Sequence, residues 1–204
     1  VLGIPELTTG GASATLAGTA TDAISGVATV TVNGSAASTA NAFASWTRGL
    51  TGLSNGSNSF TISTSDNAVP ANTTSLTAVV YRIANPTGDG DGNGISSLLE
   101  HALGIPAAAA NPRAMLPAAT VQTDGGTGEK FLTLQFRRRL QRNGLTYTVE
   151  TSTNLTTWDN TGASVQEMSA VPTGDGVTET VTVRVTPNMS TAGKKFVRLS
   201  VTTN

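Results

Sequence analysis

The sequence predicts an all-β protein of two β-sandwich domains joined by a linker that contains one short helix. Short segments alternate apolar and polar residues along most of the chain, and residues that favour turns separate them. Charged residues make up only 12% of the 204 residues and aromatic residues 4%. Only one stretch, near the middle, has the spacing of a helix. These observations favour stacked sheets.

Composition excludes several classes of function. The formal net charge is −1, so nothing in the charge favours binding to nucleic acid or to a membrane surface. No apolar run reaches the roughly 18 residues that a membrane span needs. The chain has no Cys, which excludes disulfides and thiolate chemistry. Few long charged side chains and many short ones that suit β-strands favour a secreted, β-rich protein.

The first segment, residues 1–85, is predicted to form one β-sandwich domain. Residues 27–32 alternate cleanly and place their valines on one face, and Asn33-Gly34 then marks a tight hairpin turn. Further strands are expected at residues 12–20, 42–50, 58–65 and 75–83.

Part of this segment resembles a known module. The run G-V-A-T-V-T-V-N-G, then Trp46, then G-L-S-N-G-S-N-S-F-T-I-S-T-S-D-N is similar to bacterial immunoglobulin-like domains. Such domains occur in tandem in surface and adhesion proteins and beside carbohydrate-active enzymes. The resemblance implies that Trp46 is a core residue, and an exposed, sugar-stacking Trp46 is the alternative.

The most informative stretch is residues 89–100, D-G-D-G-N-G-I-S-S-L-L-E, called the acidic loop below. Oxygen-bearing side chains stand at loop positions one, three and five, a Gly at six and a Glu at twelve. This is the spacing of a twelve-residue calcium loop. It predicts a Ca²⁺ site formed by Asp89, Asp91, Asn93, the backbone carbonyl of Ile95, and Glu100. The alternative is a Gly/Asp-rich turn that holds no ion.

The residues around the acidic loop predict one helix rather than two. Pro86 excludes a helix before the loop. After it, helical spacing relates Ile95, Leu98, Leu99, Ala102 and Leu103, and Gly104 followed by Pro106 ends the helix. A calcium sensor opens a pair of helices, so a single helix favours a structural ion.

The acidic loop resembles the single-loop calcium repeats of dockerins and of bacterial thrombospondin type 3 repeats. Ser96 stands where dockerins usually have an apolar residue, which favours the thrombospondin-like variant. Dockerins carry two loops, so cohesin binding is not expected. Residues 88–106 are also similar to a linker in large secreted bacterial proteins, where a β-sandwich follows.

Residues 86–112 are therefore expected to form the loop, its helix and a spacer, and residues 113–204 a C-terminal β-sandwich. Strands are predicted at residues 131–136, 145–150, 177–185 and 196–201. The stretch G-L-T-Y-T-V-E-T-S-T-N-L-T-T-W, with F-V-R-L-S-V-T near the end, resembles the sandwich that follows such linkers. The resemblance supplies no catalytic residues.

Two other features have simple interpretations. His101 is the only His and has no Cys or second His as a partner, so packing or a surface contact is expected rather than zinc binding or catalysis. Arg137, Arg138, Arg139 and Arg142 form the only basic cluster. A charged hairpin rim that protects a sheet edge is the favoured interpretation, with nucleic acid or an acidic patch on a neighbouring subunit as alternatives.

The expected function is that of a non-catalytic structural protein, secreted or on the surface of a bacterium, such as an adhesin module or a fibre subunit. Its partners would be copies of itself or neighbouring modules of a longer chain. Val1-Leu2-Gly3-Ile4-Pro5 is a candidate strand for donation to a neighbour. The alternative is a polysaccharide-binding module beside an enzyme, which needs exposed aromatic residues such as Trp46 and Trp158 on one face.

Overall fold

The computed structural model describes residues 6–190 and 194–203, and it confirms the all-β prediction. The described residues divide into two compact units. Unit 1 holds residues 6–84, 141–144 and 203, and unit 2 holds residues 85–140, 145–190 and 194–202. None of the helices in these ranges is long and apolar enough to cross a membrane.

Unit 1 contains seven strands among its described residues. They are β1 (Leu7–Thr9), β2 (Ala14–Gly18), β3 (Val27–Val32), β4 (Ser35–Ala36), β5 (Trp46–Leu50), β6 (Gly56–Asp66) and β7 (Thr73–Arg82). One sheet has the order β1-β7-β6-β3-β4, and β2 pairs with β5 in a second. Only β1 runs parallel to its partner, β7. The core contains buried residues of both sheets, among them Leu16, Val30, Trp46, Ile62 and Val80.

Strand β3 confirms the predicted alternation but adds an irregularity. Val30 and Val32 are buried in the core, and Asn33-Gly34 forms the predicted turn, with positive φ at both residues. Strict alternation would place Val27 on the opposite face from Val30. The pairing with β6 shifts register between Val27 and Thr29, and Val27 packs against the same core. The bulge therefore brings all three valines to one side.

Strand β5 is shorter than the sequence predicts. The expected strand covered residues 42–50, whereas β5 begins at Trp46. Ala42 and Phe43 have φ values of 51° and 67°, which lie outside the extended region. The Thr39 hydroxyl accepts a hydrogen bond from the Phe43 N–H at 2.8 Å, which holds this turn. Phe43 nevertheless packs against the core from the turn.

Unit 2 contains one α-helix, one 3₁₀ helix and six strands among its described residues. They are α1 (Ser97–Leu103), the 3₁₀ helix Pro112–Met115, β8 (Ala118–Thr123), β9 (Lys130–Arg139), β10 (Leu145–Ser152), β11 (Val165–Pro172), β12 (Thr178–Val185) and β13 (Phe196–Thr203), of which only the last residue belongs to unit 1. One sheet has the order β11-β12-β9-β8, and β10 pairs with β13. Between them, Leu134, Phe136, Val181 and Val183 are buried.

Helix α1 begins two residues later than the spacing suggests. Ser96 is its N-cap, with extended backbone angles, and the Ser96 hydroxyl accepts from the Leu99 N–H at 3.4 Å. Ile95 therefore precedes the helix, yet it is buried with Leu103 and Ile105 in a small second core of unit 2. Gly104 ends the helix in the left-handed conformation, as predicted.

The arginine cluster lies at the end of β9, where this strand is paired on one side only, which agrees with the sheet-edge interpretation. Arg137, Arg138 and Arg139 pair with β12, whereas the pairing of β9 with β8 ends at Gln135. Arg138 contacts Glu179 at 2.7 Å and Glu167 at 2.9 Å. The Arg137 guanidinium pairs with the Asp175 carboxylate. Carboxylates of unit 2 thus neutralise much of the cluster.

Candidate metal centre

The acidic loop belongs to unit 2 and is closed at its base by hydrogen bonds. The carbonyl oxygen of Gly88 accepts from the Ser97 N–H at 2.7 Å and from the Ser97 hydroxyl at 3.0 Å. The Leu98 N–H donates to the Pro86 carbonyl at 3.2 Å. The residues just before the loop are therefore attached to the first turn of α1, and the loop between them is short and constrained.

Asp89, at loop position one, organises the backbone of the loop. Its Oδ1 accepts from the N–H groups of Gly92 at 2.9 Å and Asn93 at 3.1 Å, and its Oδ2 accepts from the Gly94 N–H at 2.7 Å. These bonds, that from Gly94 most strongly, hold the pKa of the Asp89 carboxyl below its usual range. Asp89 is therefore ionised at neutral pH.

Asn93, at loop position five, joins two carboxylates. Its Nδ2 donates to Asp91 Oδ2 at 2.9 Å and to Glu100 Oε1 at 2.7 Å. Its Oδ1 accepts from the Ile95 N–H at 2.8 Å. The amide thus places a hydrogen-bond donor between two negative groups. To serve as a ligand, Asn93 would have to turn its oxygen towards the ion.

The structure brings together Asp91, Asn93 and Glu100, and places Asp89 on the backbone of the same loop. Within the described ranges, no three or more acidic, His or Cys side chains form a cluster of the kind that holds a metal ion. The Ile95 side chain faces the small core, and its N–H is bound to Asn93. The predicted ligands therefore share one loop, held by hydrogen bonds.

The chemistry of these residues fits a hard cation. Three carboxylates, an amide and a backbone carbonyl supply oxygen donors, which Ca²⁺ prefers, whereas zinc favours nitrogen and sulfur. Asp89 and Asp91 are exposed, so ionised carboxylates here carry little desolvation cost. Glu100 lies on α1, which ties the loop to the buried residues Ala102 and Leu103. The types of residue present therefore fit Ca²⁺ better than zinc.

Arg113 also contacts the loop, and nothing in the spacing of the motif points to it. Its Nη2 donates to the Asn93 carbonyl at 3.2 Å from a position 20 residues further along the chain. A Cβ at Gly94 would lie 2.6 Å from the same nitrogen. Gly94 also has a φ of 84°, which L side chains rarely adopt. The Gly at loop position six is thus required by its backbone, whereas the flexible Arg113 side chain could move away from an added Cβ.

His101 is buried inside unit 2, so of the two expected arrangements packing is the one observed. It is 8% exposed on α1, and its carbonyl accepts from Arg139 Nη1 at 3.3 Å. Burial, with a smaller contribution from the Arg139 guanidinium, lowers the pKa of His101 to about 3. The imidazole is therefore neutral at ordinary pH.

The two tryptophans differ in exposure. Trp46 is 1% exposed in the core of unit 1, as the immunoglobulin-like resemblance implied. Trp158, in unit 2, is half-buried, and the Arg198 guanidinium lies 4.0 Å above its ring. An extended platform that includes both rings is therefore excluded by the burial of Trp46.

Comparison with known proteins adds no family to these observations. No protein-family model matches the chain, and no curated protein matches it significantly in sequence. The acidic loop and the β-sheet architecture are therefore interpreted from their own geometry.

Proposed function

We propose that the protein is a non-catalytic extracellular structural protein whose second unit is stabilised by Ca²⁺ bound in the acidic loop. The observation that carries this proposal is the position of Asn93, whose amide bridges Asp91 and Glu100. Two carboxylates held around one donor, with a third on the same loop, form a local excess of negative charge. A divalent cation would neutralise it far better than an amide.

The residues that would hold the ion are Asp89, Asp91, Asn93, Ile95 through its carbonyl, and Glu100. Bound Ca²⁺ would hold the loop to α1 by electrostatic attraction, because Glu100 lies on that helix. Leu103, on the same helix, is fully buried in the small core. Binding at the loop would therefore stabilise the packing of α1, because an ion bound only by the folded state raises its stability.

The setting in which such a site works is extracellular. Extracellular calcium modules bind with dissociation constants of about 10⁻⁴–10⁻³ M, well above cytosolic calcium concentrations. The chain has no Cys, so disulfides are not available to stabilise it. We place the protein outside a bacterial cell, as a module of a surface adhesin or a subunit of a fibre. Its partners would be further copies or neighbouring modules.

Strand donation by Val1-Leu2-Gly3-Ile4-Pro5 remains a prediction. These residues lie outside the described part of the chain.

The non-catalytic assignment is supported by His101, because the only His of the chain is buried and neutral at ordinary pH. It is therefore poorly placed for acid–base catalysis.

Thermal unfolding tests this proposal, with light scattering recorded on the same samples. At about 10 mM Ca²⁺, a site of this class would add roughly 1.4–2.7 kcal/mol of stability. The melting temperature of unit 2 should then lie about 3–10 °C above its value in excess chelator. Loss of large assemblies in chelator would support a calcium-dependent fibre. Identical melting curves in both conditions would reject the calcium proposal.

A further inference from the structure

A cleft lies at one end of the strands of unit 2, and no residue of the acidic loop lines it. Four chain segments line it: the loop after β10 with Thr157 and Trp158, Ser164 before β11, Thr186-Pro187 after β12, and Lys195 before β13. The volume of the cleft is about 370 Å³, which lies within the range of small-molecule pockets, roughly 300–1,000 Å³. Because the strands are antiparallel, four separate turns converge here.

Trp158 is held in place within this cleft. The Arg198 guanidinium covers its ring at 4.0 Å, and Arg198 Nε donates to Glu150 Oε2 at 2.7 Å. Arg198 does not line the cleft, so the cleft meets a different part of the indole. Within the described residues, Trp158 Nε1 has no hydrogen-bond partner and is not among the buried polar atoms. An immobilised aromatic surface and an accessible N–H donor are thus available.

The loop that carries Trp158 is fixed by its own hydrogen bonds. Thr151 and Asp159 exchange two backbone hydrogen bonds, each 2.8 Å long. Between them, Asn154 Oδ1 accepts from the N–H groups of Thr156 at 2.8 Å and Thr157 at 2.9 Å. A ligand entering the cleft would therefore meet a largely preformed surface, and binding would cost little ordering of the loop.

The polar groups of the cleft include hydrogen-bond donors and acceptors, and they carry both positive and negative charge. Hydroxyls come from Thr157 and Ser164, a carboxylate from Asp159 and an ammonium from Lys195. The Thr161 N–H and other hydrogen bonds keep the pKa of the Asp159 carboxyl low, so it is an ionised acceptor. The negative charge of Asp159 would repel a phosphate, and one carboxylate is too few for a metal site, so neither class of ligand is favoured.

We propose that the Trp158 cleft binds a saccharide, with a sugar ring packed on the indole and its hydroxyls bonded to Asp159 and Lys195. A sugar ring has an apolar face and a rim of hydroxyls that both donate and accept. An aromatic ring that carries one polar N–H, surrounded by mixed polar groups, matches both features. This activity goes beyond the structural role of the acidic loop and does not depend on Ca²⁺.

The test is calorimetric titration of the full chain, with tryptophan fluorescence, against three soluble probes: hexasaccharides of glucose, of N-acetylglucosamine and of galacturonic acid. We expect at least one probe to bind saturably and to change the fluorescence of Trp158. Trp158→Ala should weaken that binding at least about tenfold, as loss of an aromatic anchor does. Trp158→Phe should retain part of it.

Leu155→Ala is the matched control, because Leu155 lies in the same loop and its side chain is 57% exposed. It should bind like the wild type. Asp159→Asn, which keeps the size of the side chain, should weaken binding without loss of the folded circular dichroism spectrum. Absence of binding by all three probes at millimolar concentration would overturn the proposal. Binding that survives Trp158→Ala unchanged would overturn it as well.

Discussion

Asn93 Nδ2 donates to Glu100 Oε1 at 2.7 Å, across seven positions of the acidic loop. The same nitrogen donates to Asp91 Oδ2 at 2.9 Å. In both bonds, a neutral donor occupies a place where a cation would be strongly attracted. A substitution at residue 93 can therefore distinguish between the two interpretations of the loop, an ion site and an empty turn.

Asn93→Asp should destabilise the protein without calcium and should increase the stabilisation that calcium gives. In chelator, a fourth carboxylate would repel Asp91 and Glu100 and lower the melting temperature below that of the wild type. In saturating Ca²⁺, the added charge would bind the ion, and the calcium-dependent rise in melting temperature should exceed the wild-type rise. The measurement is thermal unfolding of both proteins in both conditions. Equal destabilisation of the variant with and without Ca²⁺ would favour the empty turn.

Gly94→Ala should destabilise unit 2 by roughly 1–3 kcal/mol. The backbone has a φ of 84° there, which strains an L side chain, while the nearby end of the flexible Arg113 side chain can move away from the new Cβ. Gly125→Ala is the matched control, because no atom lies within 4 Å of its added Cβ. Denaturant unfolding in chelator should show the loss only for Gly94→Ala. Equal stability of the two variants would contradict the strained geometry of the loop.

His101 should make stability fall as the pH falls. Its folded-state pKa of about 3 lies below the ordinary value of 6.5, so only the unfolded chain takes up a proton between these values. The contribution of His101 is therefore complete above pH 6.5 and is lost towards pH 3, with a slope of at most about 1.4 kcal/mol per pH unit. Denaturant unfolding at pH 7, 6, 5 and 4 measures it.

The control for this pH dependence is His101→Leu, which removes the titrating group and keeps an apolar side chain of moderate size. Carboxylates titrate in the same range, so the difference between wild type and variant isolates His101. That difference should change steadily from pH 6.5 downwards. Parallel stability curves for the two proteins would show that His101 is not held neutral.

Arg138→Met should destabilise unit 2 by about 1–3 kcal/mol, less than the roughly 3–5 kcal/mol for breaking a fully buried pair. The Arg138 side chain is 16% exposed and that of Glu179 13%, so the remaining carboxylate would be largely shielded from water without its partner. Lys130→Met, at an exposed position of the same strand, should change stability by no more than about 0.5 kcal/mol. Similar stabilities in denaturant would contradict an energetic role for the ion pair.

Local patterns in the sequence predicted the parts of the fold that local chemistry determines. The alternation of Val30 and Val32, the Asn33-Gly34 turn and the Gly104 helix end are all confirmed. Each depends on backbone preferences or on residues close along the chain. The bulge after Val27 has no comparable signal, because it depends on how β3 pairs with β6.

Features that depend on distant parts of the chain were missed. Arg137 to Arg139 do lie where β9 is paired on one side only, but the sequence did not predict that β12 would be the partner strand. Strand order arises from long-range pairing, which periodicity does not encode. Arg113 reaches Asn93 from 20 residues away for the same reason. The residues of the acidic loop itself were readable because they are contiguous and regularly spaced.

Calcium binding by the acidic loop is tested most directly by calorimetric titration of the full chain with Ca²⁺, after removal of ions by chelation. We expect one ion per chain, a dissociation constant of about 10⁻⁴–10⁻³ M, and loss of binding in Glu100→Gln, which keeps the size of the side chain and removes its charge. Saturable heat that disappears in Glu100→Gln would support the acidic loop as a calcium site. Absence of heat in the wild type, or equal binding by the variant, would contradict it.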